Sequence, residues 1–243
     1  MYGTLFYDFK FKLCKGIFGI LHDLLISVET ITFYNAPIHY FYQEFKIMKL
    51  VFATNNMHKL EELQAIIGDR FDLLSLQEIG CNEEIPEEQP TLEGNARQKA
   101  FYIFTKYGYP CFADDTGLEI EALNGEPGVF SARYAGPVKN SDDNMKKVLE
   151  LLAKIKNRNA RFRTVISLVI NGEERQFEGI VVGEIINGKK GQSGFGYDPI
   201  FQPSEFDKTF AEMALKDKNK ISHRGRAVQK LVQYLKMLEL NND

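Results

Sequence analysis

The spacing of apolar residues along the chain predicts alternating strands and helices. Residues 50–53 form a short apolar run that is typical of a buried strand. From Leu60 to Ile67 an apolar side chain recurs every three or four residues, as on one face of a helix. The same succession returns with a strand at 71–76 and a long helix at 92–107. Strands that alternate with helices favour βαβ units and parallel pairing.

The second half of the chain contains the strongest hairpin signal. Residues 162–170 and 175–186 flank the Asn171-Gly172 dipeptide, which suits a tight turn between antiparallel strands. Parallel units in one half and a long hairpin in the other predict the α/β class. We therefore expect a mixed central β-sheet flanked by helices, with two lobes and an active-site cleft between them.

Two further helices complete the predicted elements. Residues 142–155 are amphipathic, with Ser141 as a candidate N-cap, and a final helix covers 225–238. The acidic segment 83–90 contains prolines and is predicted to be a surface loop.

Two adjacent carboxylates follow the apolar run at 110–113. The turn-forming residues Thr116 and Gly117 predict that the strand stops there, so that Asp114 and Asp115 lie at its end, where α/β sheets bind ligands. Neighbouring strand residues face opposite sides, and we assign the chemistry to Asp115 and a supporting role to Asp114. The alternative is an ordinary solvated turn.

Four other segments suit a nucleoside polyphosphate. The first is a strand-to-helix junction, where backbone N–H groups and the helix dipole favour an anion. It contains Thr54, Asn55, Asn56, Met57, His58 and Lys59. In the alternative interpretation an Asn simply caps the helix beside a surface lysine. The second segment places Asn95 and Lys99 one helical turn apart, and its alternative is a solvated face with a Glu93–Arg97 pair.

The third segment is the glycine-rich loop 191–199, in which Phe195 or Tyr197 can stack on a base. It is neither a Walker A motif nor a dinucleotide fingerprint, and a plain connecting loop is the alternative. The fourth segment combines charge with hydrogen-bond donors at the head of the final helix. Its residues are Lys218, Ser222, His223 and Arg224. Here the alternative is that Ser222 is only an N-cap.

Composition narrows the class of protein. The chain has 243 residues, of which 44% are hydrophobic, enough for a substantial core. A net charge of -3 does not favour binding to nucleic acid. A small ligand that carries phosphate would have to be bound by individual Lys and Arg residues near the site. Cys14, Cys81 and Cys111 are scattered, which favours a reducing compartment and predicts a cytoplasmic location.

The first 47 residues differ from the rest, with twelve aromatic residues between Tyr2 and Phe45. Their most apolar part, 16–28, is too short for a membrane span and contains charge. Met48 resembles a natural start before the first strand. We therefore predict a catalytic domain at 48–243, preceded by an extension that reflects a misassigned start; a partner- or membrane-docking segment is the alternative.

These segments, in this order, resemble the inosine triphosphate pyrophosphatase family over residues 48 to about 238. The resemblance rests on Ala-Asp-Asp-Thr-Gly-Leu from Ala113, Ser-Ala-Arg-Tyr from Ser131, Phe-Gly-Tyr-Asp-Pro from Phe195 and Ser-His-Arg-Gly from Ser222. It implies Mg²⁺-dependent hydrolysis of ITP, dITP and XTP to the monophosphate and pyrophosphate, cleansing the nucleotide pool, by a homodimer.

The resemblance also implies roles for single residues. Asp115 matches the metal-binding carboxylate and general base, and Thr116 matches a substrate contact. The remaining matches to substrate-binding positions are the loop from Thr54 to Lys59, then Phe195, Gly196, Tyr197, Asp198, Lys218, His223 and Arg224.

One position departs from the family pattern. Many relatives have a metal-binding Glu directly before the Asn-Ala pair, where this chain has Gly94. Glu93 is the candidate metal ligand instead, although a shift of one residue turns a helical side chain by about 100°.

Two rival functions remain open at this point. A Maf-like pyrophosphatase would act on other modified nucleotides through a comparable cleft. A nucleotide-binding sensor without catalysis would agree with the displaced Glu93.

Overall fold

The computed structural model describes residues 49–67 and 71–240, and the prediction for residues 1–47 falls outside them. One seven-stranded sheet has the order β2-β1-β3-β5-β6-β7, with β4 paired to β3. The strands are β1 (Lys49–Phe52), β2 (Asp72–Leu74), β3 (Cys111–Ile120), β4 (Pro127–Gly128), β5 (Asn159–Ile170), β6 (Glu173–Ile185) and β7 (Phe201–Pro203).

Five α-helices surround the sheet in the described part of the chain. They are α1 (Met57–Ile67), α2 (Leu92–Tyr107), α3 (Ser141–Leu151), α4 (Leu215–Ile221) and α5 (His223–Leu240). None of the helices at 49–67 and 71–240 is both long and apolar enough to cross a membrane.

The sheet is mixed, as predicted. β1 pairs in parallel with β2 and β3, whereas β3, β5, β6 and β7 pair antiparallel. The hairpin is confirmed, with Asn171 and Gly172 at positive φ between β5 and β6. The predicted α/β fold class is therefore confirmed.

The prediction that a strand ends at Asp114 and Asp115 is wrong, because β3 continues through both residues to Ile120. Each of its ten residues pairs with one on β5, including Thr116 with Thr164. This long ladder overrides the local turn preference of Thr116-Gly117. Gly117 is needed for another reason: a Cβ there would lie 2.6 Å from the carbonyl oxygen of Gly128 on β4.

The alternation along β3 places the two carboxylates on opposite faces of the sheet. Phe112 belongs to the core that α1 and α5 cover, and Ala113 belongs to the core under α2. Asp114 accordingly contacts side chains from α1 and α5, and Asp115 contacts side chains from α2. The predicted division of the pair therefore follows from strand geometry.

Two helix starts differ from the prediction. Asn140, not Ser141, is the N-cap of α3, because its side chain accepts from the backbone N–H of Asp143. The final helix begins at His223, and Ser222 Oγ accepts from the N–H of Gly225 at 3.1 Å. Ser222 is therefore a capping residue that fixes the start of α5.

The start of α5 lies directly on Gly179 of β6, and Gly179→Ala should destabilise the fold. A Cβ at this position would lie 2.0 Å from the carbonyl oxygen of His223 and 2.6 Å from the backbone N of Ala227. Since backbone must move, we expect a loss of about 1–3 kcal/mol in the free energy of unfolding. Urea denaturation measures it. Gly188→Ala, which meets nothing within 4 Å, is the control and should change little.

Candidate active site

A cavity of about 510 Å³ collects most of the side chains that the sequence singled out. The predicted residues that line it are Thr54, Asn55, Asn56, Lys59, Asp115, Thr116, Phe195, Gly196, Tyr197, Asp198, Lys218, His223 and Arg224. Met57, His58 and Glu93 are not among the lining residues. Met57 is 65% exposed, and the other two have the contacts described below.

The junction between β1 and α1 brings Lys59 into the cavity. Asn56 Oδ1 accepts from the backbone N–H of His58 at 3.0 Å and of Lys59 at 3.3 Å. Asn56 therefore caps the helix, as the alternative interpretation predicts, and this cap holds the junction in one conformation. Burial lowers the pKa of Lys59, although the charge of Asp114 acts to raise it. The Lys59 ammonium donates to Asp114 Oδ1 at 2.8 Å.

Asp114 is a buried carboxylate between two cations. Its Oδ1 pairs with Lys59, and its Oδ2 accepts from Arg224 Nε at 3.2 Å and from Thr116 Oγ1 at 3.3 Å. Burial acts to raise the pKa of Asp114, but Lys59, Arg224 and Lys99 outweigh it and hold the pKa well below the usual range. Asp114 is therefore ionised and arranges the cations, as its predicted supporting role requires.

Asp115 faces the cavity and is held by two hydrogen-bond donors. Asn95 Nδ2 donates to its Oδ2 at 3.0 Å, and the backbone N–H of Thr116 donates to its Oδ1 at 3.0 Å. Burial raises the pKa of Asp115, against the opposing effects of Lys99 and Lys59. A fixed carboxylate with a raised pKa suits the acceptance of a proton from a nearby water.

Glu87 and Lys99 also line the cavity beside Asp115. The Lys99 ammonium donates to Glu87 Oε1 at 2.5 Å and to the Asp114 carbonyl at 2.8 Å, and it lies 3.9 Å from Asp115 Oδ1. Burial acts to lower the pKa of Lys99, but Asp115 and Glu87 outweigh it and raise the pKa. The sequence predicts a surface loop at 83–90, and nothing in that segment distinguishes Glu87 from its acidic neighbours.

The structure does not bring Glu93 to Asp115. Its carboxylate pairs with Arg163 on β5, and Arg163 also pairs with Glu178. Gly94 cannot carry a larger side chain without movement, because a Cβ there would lie 2.7 Å from Cβ of Gln89. Within 49–67 and 71–240, no group of three or more His, Cys, Asp or Glu could hold a metal ion by itself.

Phe195 contributes an aromatic ring to the lining of the cavity. Lys218 Nζ lies 5.3 Å and Arg224 Cζ 5.4 Å from its ring centroid, and His58 stacks on it at 5.3 Å. Tyr197, the second aromatic of the loop, is buried and donates its hydroxyl hydrogen to the carbonyl of Ser131 at 2.8 Å. Phe195 is only partly buried and is therefore the loop aromatic that is better placed to contact a base.

His223 lines the same cavity and is buried with unused hydrogen-bonding capacity. It stacks on Phe162 at 4.5 Å, and its Nδ1 has no hydrogen-bond partner among the described residues. Burial, together with the charges of Arg224 and Lys218, lowers the pKa of His223 well below its usual value. A neutral imidazole at the cavity wall is suited to a hydrogen bond with a ligand.

Glu62 on α1 is a carboxylate that sequence reasoning missed. It is 3% exposed and pairs with both Lys218 and Arg224. Lys218 Nζ also donates to Asp198 Oδ2 at 2.7 Å. The one signal in the sequence is that Glu62 lies three residues after Lys59 and shares its helix face.

The residues that line the cavity thus suit different parts of one ligand. Lys59 and Lys99 place positive charge beside Asp115, while Phe195 and His223 offer a ring face and a polar atom. A polyanion joined to a flat heterocycle matches this division.

The sequence model of the Ham1 family matches residues 50–234 of this chain. The chain belongs to the Ham1 family. The resemblance inferred from the sequence motifs is thereby confirmed, since relatives that match 77% of this chain are named dITP/XTP pyrophosphatase. The dITP/XTP pyrophosphatase of Flavobacterium johnsoniae is 58% identical over 188 residues, which is 77% of this chain and 98% of the relative. The dITP/XTP pyrophosphatase of Porphyromonas gingivalis is 50% identical over 77% of this chain and 97% of the relative.

Solved structures of Ham1 proteins agree with the fold. The HAM1 protein from Coxiella burnetii superposes with a TM-score of 0.73 at 38% identity, covering 79% of this chain and 100% of that one. The Ham1 protein of Staphylococcus aureus superposes with a TM-score of 0.71 at 39% identity, covering 77% of this chain and 98% of that one.

Proposed function

We propose that this Ham1 protein hydrolyses dITP, XTP and ITP to the nucleoside monophosphate and pyrophosphate. One observation carries the proposal: Asp115, fixed by Asn95 and by the N–H of Thr116, shares a cavity with Lys59, Lys99 and the ring of Phe195. Relatives named dITP/XTP pyrophosphatase support the choice of substrate. Such an enzyme removes deaminated purines from the nucleotide pool.

Asp115 acts as the general base. It accepts a proton from water while the water oxygen forms a bond to the α-phosphorus and the bond from the α-phosphorus to the α,β-bridging oxygen breaks. The electron pair of that bond leaves with pyrophosphate. Asn95 keeps Asp115 oriented toward the cavity throughout.

The buried lysines stabilise the charge that develops in the transition state. Lys59 and Lys99 stand on either side of the carboxylate pair, so they can meet the triphosphate and the leaving pyrophosphate. Their carboxylate partners fix both ammonium groups before substrate arrives, which limits the reorganisation needed during the reaction.

His223 and Arg224 read the base. Three donors of Arg224 are engaged by Asp114, Glu62 and Thr116, which leaves two of its five N–H hydrogens for a ligand. An Arg N–H can donate to the 6-oxo group of hypoxanthine or xanthine but finds no acceptor in the 6-amino group of adenine. Buried donors without a partner would then penalise ATP.

Mg²⁺ is the metal that we propose for this site. Asp115 and Glu87 are the carboxylates that would hold it, and Mg²⁺ is commonly bound by one or two carboxylates together with substrate phosphates and water. When bound it would neutralise phosphate charge. This fits the lack of an all-protein ligand cluster in the described residues.

A homodimer in the cytoplasm is the assembly that we propose, following the family resemblance, with residues 48–243 as the catalytic domain. Light scattering on the purified chain tests the dimer. A monomer at micromolar concentration would contradict it.

Pyrophosphate release by the full chain tests the proposed activity. We expect turnover of dITP, XTP and ITP at least about tenfold above ATP, because one unpaired buried donor is worth about that factor. Omitting Mg²⁺ and adding EDTA should abolish turnover. Release from modified pyrimidine nucleotides alone would favour a Maf-like enzyme, and tight ITP binding without release would favour a sensor.

A further inference from the structure

Glu62 is a buried carboxylate that the proposed mechanism does not use. It lies on α1, is 3% exposed and is not one of the residues that line the cavity. A buried carboxylate is costly unless its oxygens are paired, so its partners indicate what it does.

Both carboxylate oxygens of Glu62 are used, each by a different cation. Oε1 accepts from Lys218 Nζ at 2.6 Å, and Oε2 accepts from Arg224 Nη1. The two cations come from α4 and α5, so Glu62 ties α1 to both helices. Asn219 Nδ2 also donates to the Glu62 backbone carbonyl at 3.3 Å. Burial acts to raise the pKa of Glu62, but Arg224 and Lys218 outweigh it and lower the pKa.

The two cations that Glu62 holds are those beside the ring of Phe195. Lys218 and Arg224 lie within 5.4 Å of the ring centroid, and both line the cavity. Asp198 also holds Lys218, and Asp114 also holds Arg224, but Glu62 is the carboxylate that contacts both cations. Without this shared counter-charge the two like charges should move apart. The position of Lys218 and Arg224 relative to each other therefore depends on Glu62.

The two lysines near Asp115 do not contact Glu62. Lys99 is paired with Glu87, and Lys59 is paired with Asp114, which Arg224 also contacts. A change at Glu62 should therefore act directly on Lys218 and Arg224 and reach Lys59 only through Asp114.

We propose that Glu62 is a positioning residue for recognition of the 6-oxopurine base, an inference that rests on the proposed function. It fixes Lys218 and Arg224 against Phe195 and so determines selectivity between nucleotides, while the binding of the triphosphate depends on Lys59 and Lys99. Glu62 itself does not touch the substrate.

The test compares two ligands that share a triphosphate and differ in the base. In Glu62→Gln, the KM for ITP should rise about tenfold or more and the preference for ITP over ATP should fall, since a charged hydrogen bond is lost. The inhibition constant of inorganic tripolyphosphate, which has no base, should stay within about twofold. Glu150→Gln is the matched control: Glu150 is an exposed helical carboxylate 3.9 Å from Lys146.

Each outcome decides the inference. Equal weakening of ITP and tripolyphosphate would show a general structural role and overturn it, as would Glu62→Gln behaving like Glu150→Gln. If circular dichroism shows that Glu62→Gln does not fold, Glu62→Asp decides instead. That variant keeps the charge but is one methylene too short to reach both cations, and an unchanged KM for ITP would overturn the inference. No wild-type turnover of ITP would overturn the proposed function, and this inference with it.

Discussion

Replacing Asp115 by Asn should lower kcat for ITP hydrolysis by about 100- to 10,000-fold, the range expected for loss of a general base. Asn has nearly the same shape as Asp but cannot accept the proton of the attacking water. Binding should change far less, because the cations and the ring of Phe195 remain. Single-turnover kinetics with enzyme in excess over ITP measures the chemical step, and calorimetry with ITP in EDTA measures binding.

Asp207→Asn is the matched control, because it removes an exposed carboxylate that does not line the cavity. It should retain wild-type kcat and KM. Near-normal turnover in Asp115→Asn would remove Asp115 from the catalytic role. A variant that loses ITP binding as severely as turnover would instead point to a structural role for this carboxylate.

Replacing Asp114 by Asn should lower the free energy of unfolding by about 3–5 kcal/mol, the cost of breaking a buried ion pair on one side. Lys59 and Arg224 would then be buried with one fewer negative partner. Urea denaturation in EDTA measures the change. Asp142→Asn removes an exposed ion pair with Lys189 and should cost less than about 1 kcal/mol. Equal effects of the two variants would contradict the prediction.

The pH dependence of stability has a definite sign at Asp114. The pKa of Asp114 in the folded protein lies below the ordinary value of 3.8. The contribution of Asp114 to the free energy of unfolding is therefore present at neutral pH and is lost as the pH falls. The wild-type protein should therefore lose stability between about pH 5 and pH 2, and Asp114→Asn should lose less over that interval. Denaturation series at several pH values compare the slopes.

Hydrophobic period and turn chemistry were enough to predict much of the fold. The helix at 92–107 and the hairpin about Asn171-Gly172 depend on local patterns, and the structure has both. β3 could not be predicted in the same way. Its continuation past Asp115 depends on pairing with β5, some fifty residues later in the chain, and local propensity contains no information about that partner.

Most of the predicted cavity-lining residues lie in a glycine-rich loop or near the start of a helix, contexts that are visible in the sequence. Glu62 and Glu87 do not, since one lies within a helix and the other in an acidic loop. Their roles follow from cations that approach from elsewhere in the fold. Glu93 shows the converse: the family pattern beside Gly94 suggested a metal ligand, whereas in the fold its carboxylate pairs with Arg163.

The ladder that holds β3 also limits how its length can change during evolution. Asp114 and Asp115 are chemically identical, and only strand parity distinguishes the carboxylate that orders cations from the one that faces substrate. Inserting or deleting a single residue within β3 would exchange the two sides for everything beyond it. Homologues of this chain should therefore tolerate insertions and deletions at the 171–172 turn. The number of residues from Cys111 to Ile120 should stay constant.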